Sequence, residues 1–328
     1  MSSLRLFSAW LALALFGLAG TALAADSSVV TTERARAELL AHAPDGVAPG
    51  KTVWAGLQIV HQPQWHTYWK NSGDSGLPTK LQWTLPPGVQ AGEIAWPLPK
   101  KIPIGTLANY GYDGTLLLPV HLTITPEFKP PLFGSVELKL QAQWLICRKE
   151  CIPEEGSFVL QLPVQSTTAL HAAAFDAAFA AQPRPVLQGT AGAIPDSQAR
   201  IEGSMLHIAV QGLPVTLRGK TLEFFPETAE VIETAARWSQ AWNGSVWTAQ
   251  VPLSPQRSAS PGVMPVVLAA DGQGWRAELP VQGSWPATAA PAGVPAALQA
   301  ALNQNASSSA PATAPLGLAA ALLGALLG

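Results

Sequence analysis

Cysteines and charged side chains are scarce in this chain of 328 residues, and each shortage excludes a class of protein. Two cysteines are too few for a disulfide-dense small domain and for a four-cysteine zinc site. Charged residues make up 12% of the chain, about half the usual share, with 19 Lys and Arg against 21 Asp and Glu. Since there is no basic excess, we expect no nucleic-acid partner.

Hydrophobic residues make up an ordinary 48% of the chain, which excludes an intrinsically disordered protein. The chain contains 30 Pro and 28 Gly, which is typical of a protein with many short strands and turns. Its length predicts about two domains.

The first two dozen residues have the pattern of a secretory signal peptide. Arg5 supplies a short positive region, residues 6–19 are apolar, and Ala22-Leu23-Ala24 offers a cleavage site. An uncleaved membrane anchor is the alternative, but the apolar run is shorter than the ~20 residues that cross a bilayer. We therefore expect residues 1–24 to be a signal peptide and both cysteines to reach an oxidising compartment.

The other end of the chain lacks charge altogether, since no charged side chain follows Glu278. Residues 286–315 are rich in Ala, Pro and Ser and predict a flexible tether. Residues 316–328 contain only Leu, Ala and Gly, a run too short to cross a membrane. We interpret this run as the start of a truncated transmembrane helix, with a C-terminal tail or a small buried helix as the alternative.

Alternation of apolar and polar side chains dominates the body of the chain. Residues 135–147 alternate with a period of two, and residues 158–164 repeat the pattern, which predicts an antiparallel hairpin. Residues 33–42 fit either an amphipathic helix or a first strand. The further strand candidates are residues 53–60, 80–85 and 116–124. Short strands at such spacing predict an all-β, immunoglobulin-like sandwich over residues 25–165.

A short helix and a second set of strands are predicted beyond this sandwich. Residues 166–182 have the pattern of a linker helix with Leu170, Phe175 and Phe179 buried, within a linker spanning 166–184. Turn signals at Asn243-Gly244 and Asp271-Gly272 indicate hairpins. The strand candidates are residues 201–210, 221–225, 237–242, 246–251 and 263–269. We therefore expect a second small β-sandwich over residues 185–285.

Cys147 and Cys151 have the spacing C-x3-C, and the simplest interpretation is a stabilising disulfide. A bridge over so short a loop stabilises by only about 2 kcal/mol in the chain-entropy model. The strand register predicts that Cys147 faces solvent. Arg148 and Lys149 favour the thiolate, which Glu150 partly offsets. From the residues alone, the two cysteines fit both a structural bridge and a redox-active pair.

A metal site is the third interpretation of the two thiols, since such a pair can bind a soft ion such as Cu(I). The chain beyond the predicted signal peptide has only Met205 and Met264 as thioethers and no His-rich tract near the cysteines. His61 and His66 would reach such a site only through the fold. We therefore expect no dedicated metal site.

Two aromatic stretches also stand out. In residues 65–78 the aromatic side chains form either core or a recognition surface, and Ser72-Gly73-Asp74-Ser75-Gly76 predicts a turn. Residues 109–114 place Tyr110 and Tyr112 in a predicted loop, where they serve binding or pack against the domain.

Taken together, these stretches resemble the N-terminal periplasmic domain of the DsbD family of thiol:disulfide interchange proteins. The resemblance covers about residues 30–165. The second β domain and the C-x3-C spacing are similar to the branch linked to suppression of copper sensitivity. The matching motifs are Trp65-His66-Thr67-Tyr68-Trp69 with the following Gly-Asp-Ser-Gly-Leu-Pro, Trp96-Pro97, Tyr110-Gly111-Tyr112, and Trp144 with Cys147-x3-Cys151-Ile152-Pro153.

This resemblance implies that Cys147 and Cys151 cycle between dithiol and disulfide, with Cys151 favoured to form the mixed disulfide. It also implies a cap loop that shields the disulfide. Tyr110-Gly111 matches the last two residues of the family's Phe-Tyr-Gly cap, but Asn109 stands in place of the Phe, so Tyr110 or Tyr112 would substitute. The C-x5-C spacing of the best-known members is not met.

The resemblance further implies partners and a location. Electrons would arrive through the transmembrane and thioredoxin-like domains of the same full-length protein and leave to periplasmic thioredoxin-fold proteins, namely disulfide isomerases and cytochrome c maturation factors. We expect no cofactor, and a location in the periplasm, tethered to the inner membrane. The rival functions are a non-catalytic scaffold with a structural disulfide and a Cu(I)-binding thiol pair.

Overall fold

The computed structural model describes residues 27–132, 134–165, 168–186 and 197–287. The predicted signal peptide, the tether beyond residue 287 and the predicted start of a transmembrane helix lie outside these residues. Within the described ranges, no helix is both long and apolar enough to cross a membrane.

Strands dominate the described residues, and the predicted all-β class is confirmed. The strands before the helix are β1 (Val29–Thr31), β2 (Ala35–His42), β3 (Val53–His61), β4 (Thr67–Gly73), β5 (Lys80–Thr84), β6 (Val89–Ile94), β7 (Lys100–Ile104), β8 (Leu107–Tyr112), β9 (Thr115–Ile124), β10 (Ser135–Cys147) and β11 (Cys151–Pro163). Helix α1 (Ala172–Ala180) precedes β12 (Arg184–Pro185), β13 (Gln198–Glu202), β14 (Met205–Val210), β15 (Glu223–Pro226), β16 (Ser239–Asn243), β17 (Val246–Pro252), β18 (Val263–Ala270) and β19 (Gln273–Gln282).

The first sandwich pairs a five-stranded sheet, ordered β1-β2-β3-β9-β6, with a three-stranded sheet, ordered β11-β10-β5. Alternate side chains of each sheet point inward, and residues such as Leu57, Leu138 and Trp144 form one buried core. Residues 33–42 fitted either a helix or a strand in the sequence, and the structure shows strand β2 there. Its alternate residues Ala35 and Ala37 are buried in that core. The predicted hairpin is confirmed as β10–β11.

A third, small sheet, ordered β4-β8-β7, belongs to the first half of the chain. Its strand β4 begins directly after His66, which pairs with Cys147 at the end of β10. The small sheet therefore reaches the disulfide end of the β10–β11 hairpin.

The second half of the chain forms a β-sandwich-like unit, called the second sandwich below. Its strands are continuous in one sheet, ordered β15-β18-β19-β13-β14-β17-β16, with β12 paired to β19. Its core lies within residues 186–279 and is separate from the first. The prediction of one strand over residues 201–210 is wrong, because a turn at Gly203-Ser204 divides it into β13 and β14. The hairpin turns after Trp242 and after Ala270 are confirmed. The predicted domain limits at 165 and 185 stay predictions.

Helix α1 is shorter than the predicted linker helix. Thr168 still pairs with Ala43 in a β-bridge, so the chain is extended there and the helix begins only at Ala172. Leu170 therefore precedes the helix and is 87% exposed, which corrects its predicted burial. Phe175 is buried as predicted, and Phe179 is half-buried.

Candidate redox site

Cys147 and Cys151 form a disulfide at the turn end of the β10–β11 hairpin. The two residues are ladder partners, with their Cα atoms 4.2 Å apart. A three-residue turn joins them, and the Arg148 N–H donates to the Glu150 carbonyl at 3.1 Å. The bridge thus lies at the tip of two regular strands, which hold both sulfurs in place.

The two sulfurs have unequal access to solvent. Cys151 is exposed, whereas Cys147 is 1% exposed, so the prediction of a solvent-facing Cys147 is wrong. The predicted register is correct, but another segment covers this face. His66 pairs with Cys147 through two backbone hydrogen bonds of 3.0 and 2.9 Å and brings the start of β4 over it.

Tyr68 is the residue that shields the exposed sulfur, a role that the sequence did not single out. Its hydroxyl oxygen lies 3.6 Å from Sγ of Cys151. The Tyr68 side chain is fully buried, and its ring packs edge-on against the His66 ring. Gly76 lies against the same ring, where a Cβ atom would come within 2.2 Å of it. The aromatic motif of residues 65–69 pointed to this region of the sequence. It did not show whether the aromatic side chains belong to the core or to a recognition surface.

The chemistry of Tyr68 follows from its burial. Burial raises the pKa of the Tyr68 phenol, and the Asn109 side chain only partly offsets this rise. A phenol is already protonated at neutral pH, and burial moves its pKa further above neutrality, so this side chain places no negative charge beside Cys151.

The predicted cap residues lie elsewhere. Asn109, Tyr110 and Tyr112 are buried on β8, which pairs with both β4 and β7, so their predicted loop position is wrong. Asn109 accepts hydrogen bonds from the backbone and hydroxyl of Ser75, at 3.1 and 3.0 Å. Tyr112 donates its hydroxyl to the Pro97 carbonyl at 2.8 Å. These residues support the segment that bears Tyr68, and a direct cap role for them stays a prediction.

Positive charge is fixed near the disulfide by stacking on Trp65. The Arg148 guanidinium lies 4.9 Å from the centre of the Trp65 ring, and Arg34 lies 5.4 Å from it. Arg34 also pairs with Glu154 at 3.2 Å, and Glu154 accepts a hydrogen bond from the Trp144 indole at 3.0 Å. This network ties the tip of the hairpin to Arg34, between β1 and β2, and to Trp65, just before β4.

The two histidines near the site are neutral structural residues. Both ring nitrogens of His61 are satisfied when Nδ1 donates to the Gly114 carbonyl at 2.8 Å and Nε2 accepts from the Thr67 hydroxyl at 2.9 Å. Burial is the main cause that lowers the pKa of both His61 and His66. Within the described ranges, no group of three or more His, Cys, Asp or Glu side chains could hold a metal ion.

A groove of about 490 Å³ runs beside the disulfide. Leu145 and Pro153 form part of it. They pair with each other in the β10–β11 ladder, two rungs from the cysteine pair. Leu77, on the opposite wall, is 62% exposed. The residues that line the groove are Leu77, Pro78, Lys80, Gln143, Trp144, Leu145, Pro153, Glu154 and Glu155.

Part of the chain is similar to known proteins. The N-terminal domain family of thiol:disulfide interchange protein DsbD matches residues 36–163, which confirms the predicted resemblance for that part of the chain. The N-terminal periplasmic domain of ScsB from Proteus mirabilis superposes with a TM-score of 0.58 and 16% identity, covering 79% of this chain and 99% of that chain. At this identity, the likeness shows a shared fold.

A second solved structure, the titin Ig tandem domains A164-A165, aligns over 77% of this chain and 98% of that chain at 13% identity. Its TM-score of 0.19 supports no argument. No curated protein matches the chain in sequence.

Proposed function

We propose that the chain, whose residues 36–163 match the DsbD N-terminal family, is the periplasmic thiol–disulfide exchange module of a membrane protein-disulfide reductase. Cys147 and Cys151 are its redox pair. The transmembrane and thioredoxin-like domains of the same full-length protein supply its electrons. Its acceptors are periplasmic thioredoxin-fold proteins, including disulfide isomerases and cytochrome c maturation factors.

The exchange step needs only the two cysteines of the module and the disulfide of the partner. The Cys151 thiolate attacks one partner sulfur, a mixed disulfide forms, and the other partner sulfur leaves as a thiolate that takes up a proton. The Cys147 thiolate then attacks Sγ of Cys151, and the partner leaves with two thiols. Two electrons and two protons pass to the partner, and the module is left with its Cys147–Cys151 disulfide.

The unequal exposure of the two sulfurs supports this assignment most directly. A partner sulfur can approach Cys151, whereas β4 and His66 cover Cys147. A buried Cys147 is well placed to resolve the mixed disulfide, because it already lies opposite Cys151 in the ladder. Arg148, held beside the pair, favours the thiolate form in both steps.

The test uses the two single variants with an oxidised thioredoxin-fold protein as acceptor. Cys147→Ser is expected to accumulate a mixed disulfide through Cys151, because the resolving thiol is missing. Cys151→Ser is expected to accumulate little, and both variants lose net transfer. The double variant Cys147→Ser with Cys151→Ser is the control.

Transfer at wild-type rates in both single variants would contradict the proposal. If removal of the bridge lowers thermal stability while the wild-type protein transfers no electrons, the pair is a structural bridge. Trapping through Cys147 instead of Cys151 would overturn the assignment of roles and leave the exchange function standing.

A further inference from the structure

The second sandwich contacts the back of the segment that shields the disulfide. We define the shield segment as residues 66–76, which include β4 and the turn after it. Tyr68 faces Cys151, whereas its neighbour Trp69 faces the opposite way, into a buried cluster with Phe225 of β15. One strand thus has the disulfide on one side and the second sandwich on the other.

Phe225 is the centre of the apolar part of this contact. It is fully buried, and its ring centre lies 5.0 Å from that of Tyr110 and 6.3 Å from that of Trp69. Val267 and Ala269 of β18 complete the cluster from the second sandwich. A buried aromatic side chain stabilises such a contact, since its removal leaves a cavity.

Polar side chains of the shield segment reach the same part of the second sandwich. The buried Asn71 amide donates to the Pro226 carbonyl at 2.7 Å. Asp74 accepts the Thr234 N–H at 3.2 Å through Oδ1 and the Ala108 N–H at 2.8 Å through Oδ2. Asp74 therefore joins the shield segment to β8 and to the second sandwich at once.

Two lysines add to the contact, one within the shield segment and one on β7. Lys70 pairs with Glu227 at 3.2 Å, and Glu227 is itself held by Arg276 at 2.7 Å. Lys101 of β7 donates to the Thr234 carbonyl at 2.6 Å. Residues 225–234 of the second sandwich are thus fixed to the small sheet by ring packing, hydrogen bonds and an ion pair.

We propose that the second sandwich holds the shield segment over Cys151 and so limits how fast an incoming thiolate reaches that sulfur. This inference rests on the proposed function and gives the second sandwich a regulatory part in it. Phe225 is a positioning residue, because it acts on Cys151 through Trp69 and Tyr68. A partner that displaces the shield must work against the contact with the second sandwich.

The experiment measures the rate at which dithiothreitol reduces the Cys147–Cys151 disulfide in the oxidised full chain. Tyr68→Ala removes the shield and is expected to raise this rate by more than tenfold. Phe225→Ala is expected to raise it by about tenfold, the factor that corresponds to about 1.4 kcal/mol. In the double variant the rate is expected to equal that of Tyr68→Ala, since Phe225 acts through Tyr68.

Phe224→Ala is the matched control. Phe224 precedes Phe225 on β15 but packs into the second core against Trp238 and Trp247. This variant is expected to lower the thermal midpoint of unfolding and to leave the reduction rate unchanged. Should Phe225→Ala fail to fold, Asn71→Ala, which removes the hydrogen bond to Pro226, is compared with Tyr68→Ala in the same way.

A wild-type reduction rate in Phe225→Ala, with a fast rate in Tyr68→Ala, would overturn the inference. So would a rate in the double variant that exceeds that of Tyr68→Ala, because Phe225 would then act by another route. Neither result affects the proposed function, since dithiothreitol reduction needs no protein partner. The trapping experiment with the cysteine variants decides that function separately.

Discussion

The two bonded sulfurs differ in their surroundings far more than their four-residue separation suggests. Cys151 is exposed and contacts the Tyr68 hydroxyl, whereas Cys147 is covered by the backbone of His66. The Tyr68 phenol is neutral at physiological pH, and burial raises its pKa further, so it contacts Cys151 without repelling a thiolate. On our proposal, this environment makes Cys151 the attacking sulfur and Cys147 the resolving one.

Gly76→Ala tests whether the Tyr68 ring needs the space beside it. A Cβ atom there would lie 2.2 Å from the ring, and Gly76 has a φ of +100°, which disfavours other residues. We expect a loss of about 2–3 kcal/mol in unfolding free energy and faster reduction of the disulfide by dithiothreitol. Urea unfolding and the reduction rate check the two effects.

Gly105→Ala is the matched control for this substitution, because Gly105 also has a positive φ, +60°, but nothing lies within 4 Å of its Cβ position. It is expected to lose stability through backbone strain alone and to keep the wild-type reduction rate. Equal reduction rates in the two glycine variants would show that the ring does not depend on Gly76.

At the scale of the elements, the hairpin β10–β11 contains both cysteines, and the buried carboxylate of Glu154 stabilises it near its tip. The Glu154 side chain is 7% exposed, where it pairs with Arg34 and accepts hydrogen bonds from the Trp144 indole and the Thr32 hydroxyl. This one side chain therefore joins the connection between β1 and β2, which bears Thr32 and Arg34, to Trp144 of β10.

Glu154→Ala is expected to lower the unfolding free energy by about 2–3 kcal/mol, because it leaves Arg34 and the Trp144 indole without this acceptor. Glu155→Ala is the control on the neighbouring, exposed residue and is expected to stay within about 0.5 kcal/mol of wild type. Urea denaturation monitored by Trp fluorescence measures both. Equal stability of the two variants would contradict a structural role for the Glu154 network.

The hairpin was predictable from the sequence, whereas the small sheet was not. Residues 135–147 alternate with a period of two and residues 158–164 repeat the pattern, so the pairing of β10 with the second half of β11 follows from the sequence. In β8 both faces are buried, and Asn109, Tyr110 and Tyr112 show no alternation that would mark a strand. The burial of Cys147 could not be predicted either, because it depends on a contact with His66, 81 positions earlier in the chain.

At the scale of the whole molecule, the sequence predicts two sandwiches but not how they meet. Phe224 and Phe225 are adjacent, equally apolar and both buried, yet one faces the second core and the other faces Trp69. Alternation along β15 predicts opposite faces, but only the structure shows that the second face is covered by the shield segment. The proposed regulatory part of the second sandwich therefore follows from the contact itself.

The central claim is that Cys147 and Cys151 are an exchange-active pair, and the reduction potential of this pair tests it most directly. The full chain is equilibrated in glutathione buffers, free thiols are alkylated, and modified cysteines are counted by mass. Our account predicts a potential between about −180 and −270 mV, the range of thiol–disulfide exchange proteins. A potential below about −300 mV would mark a persistent structural bridge and would contradict it.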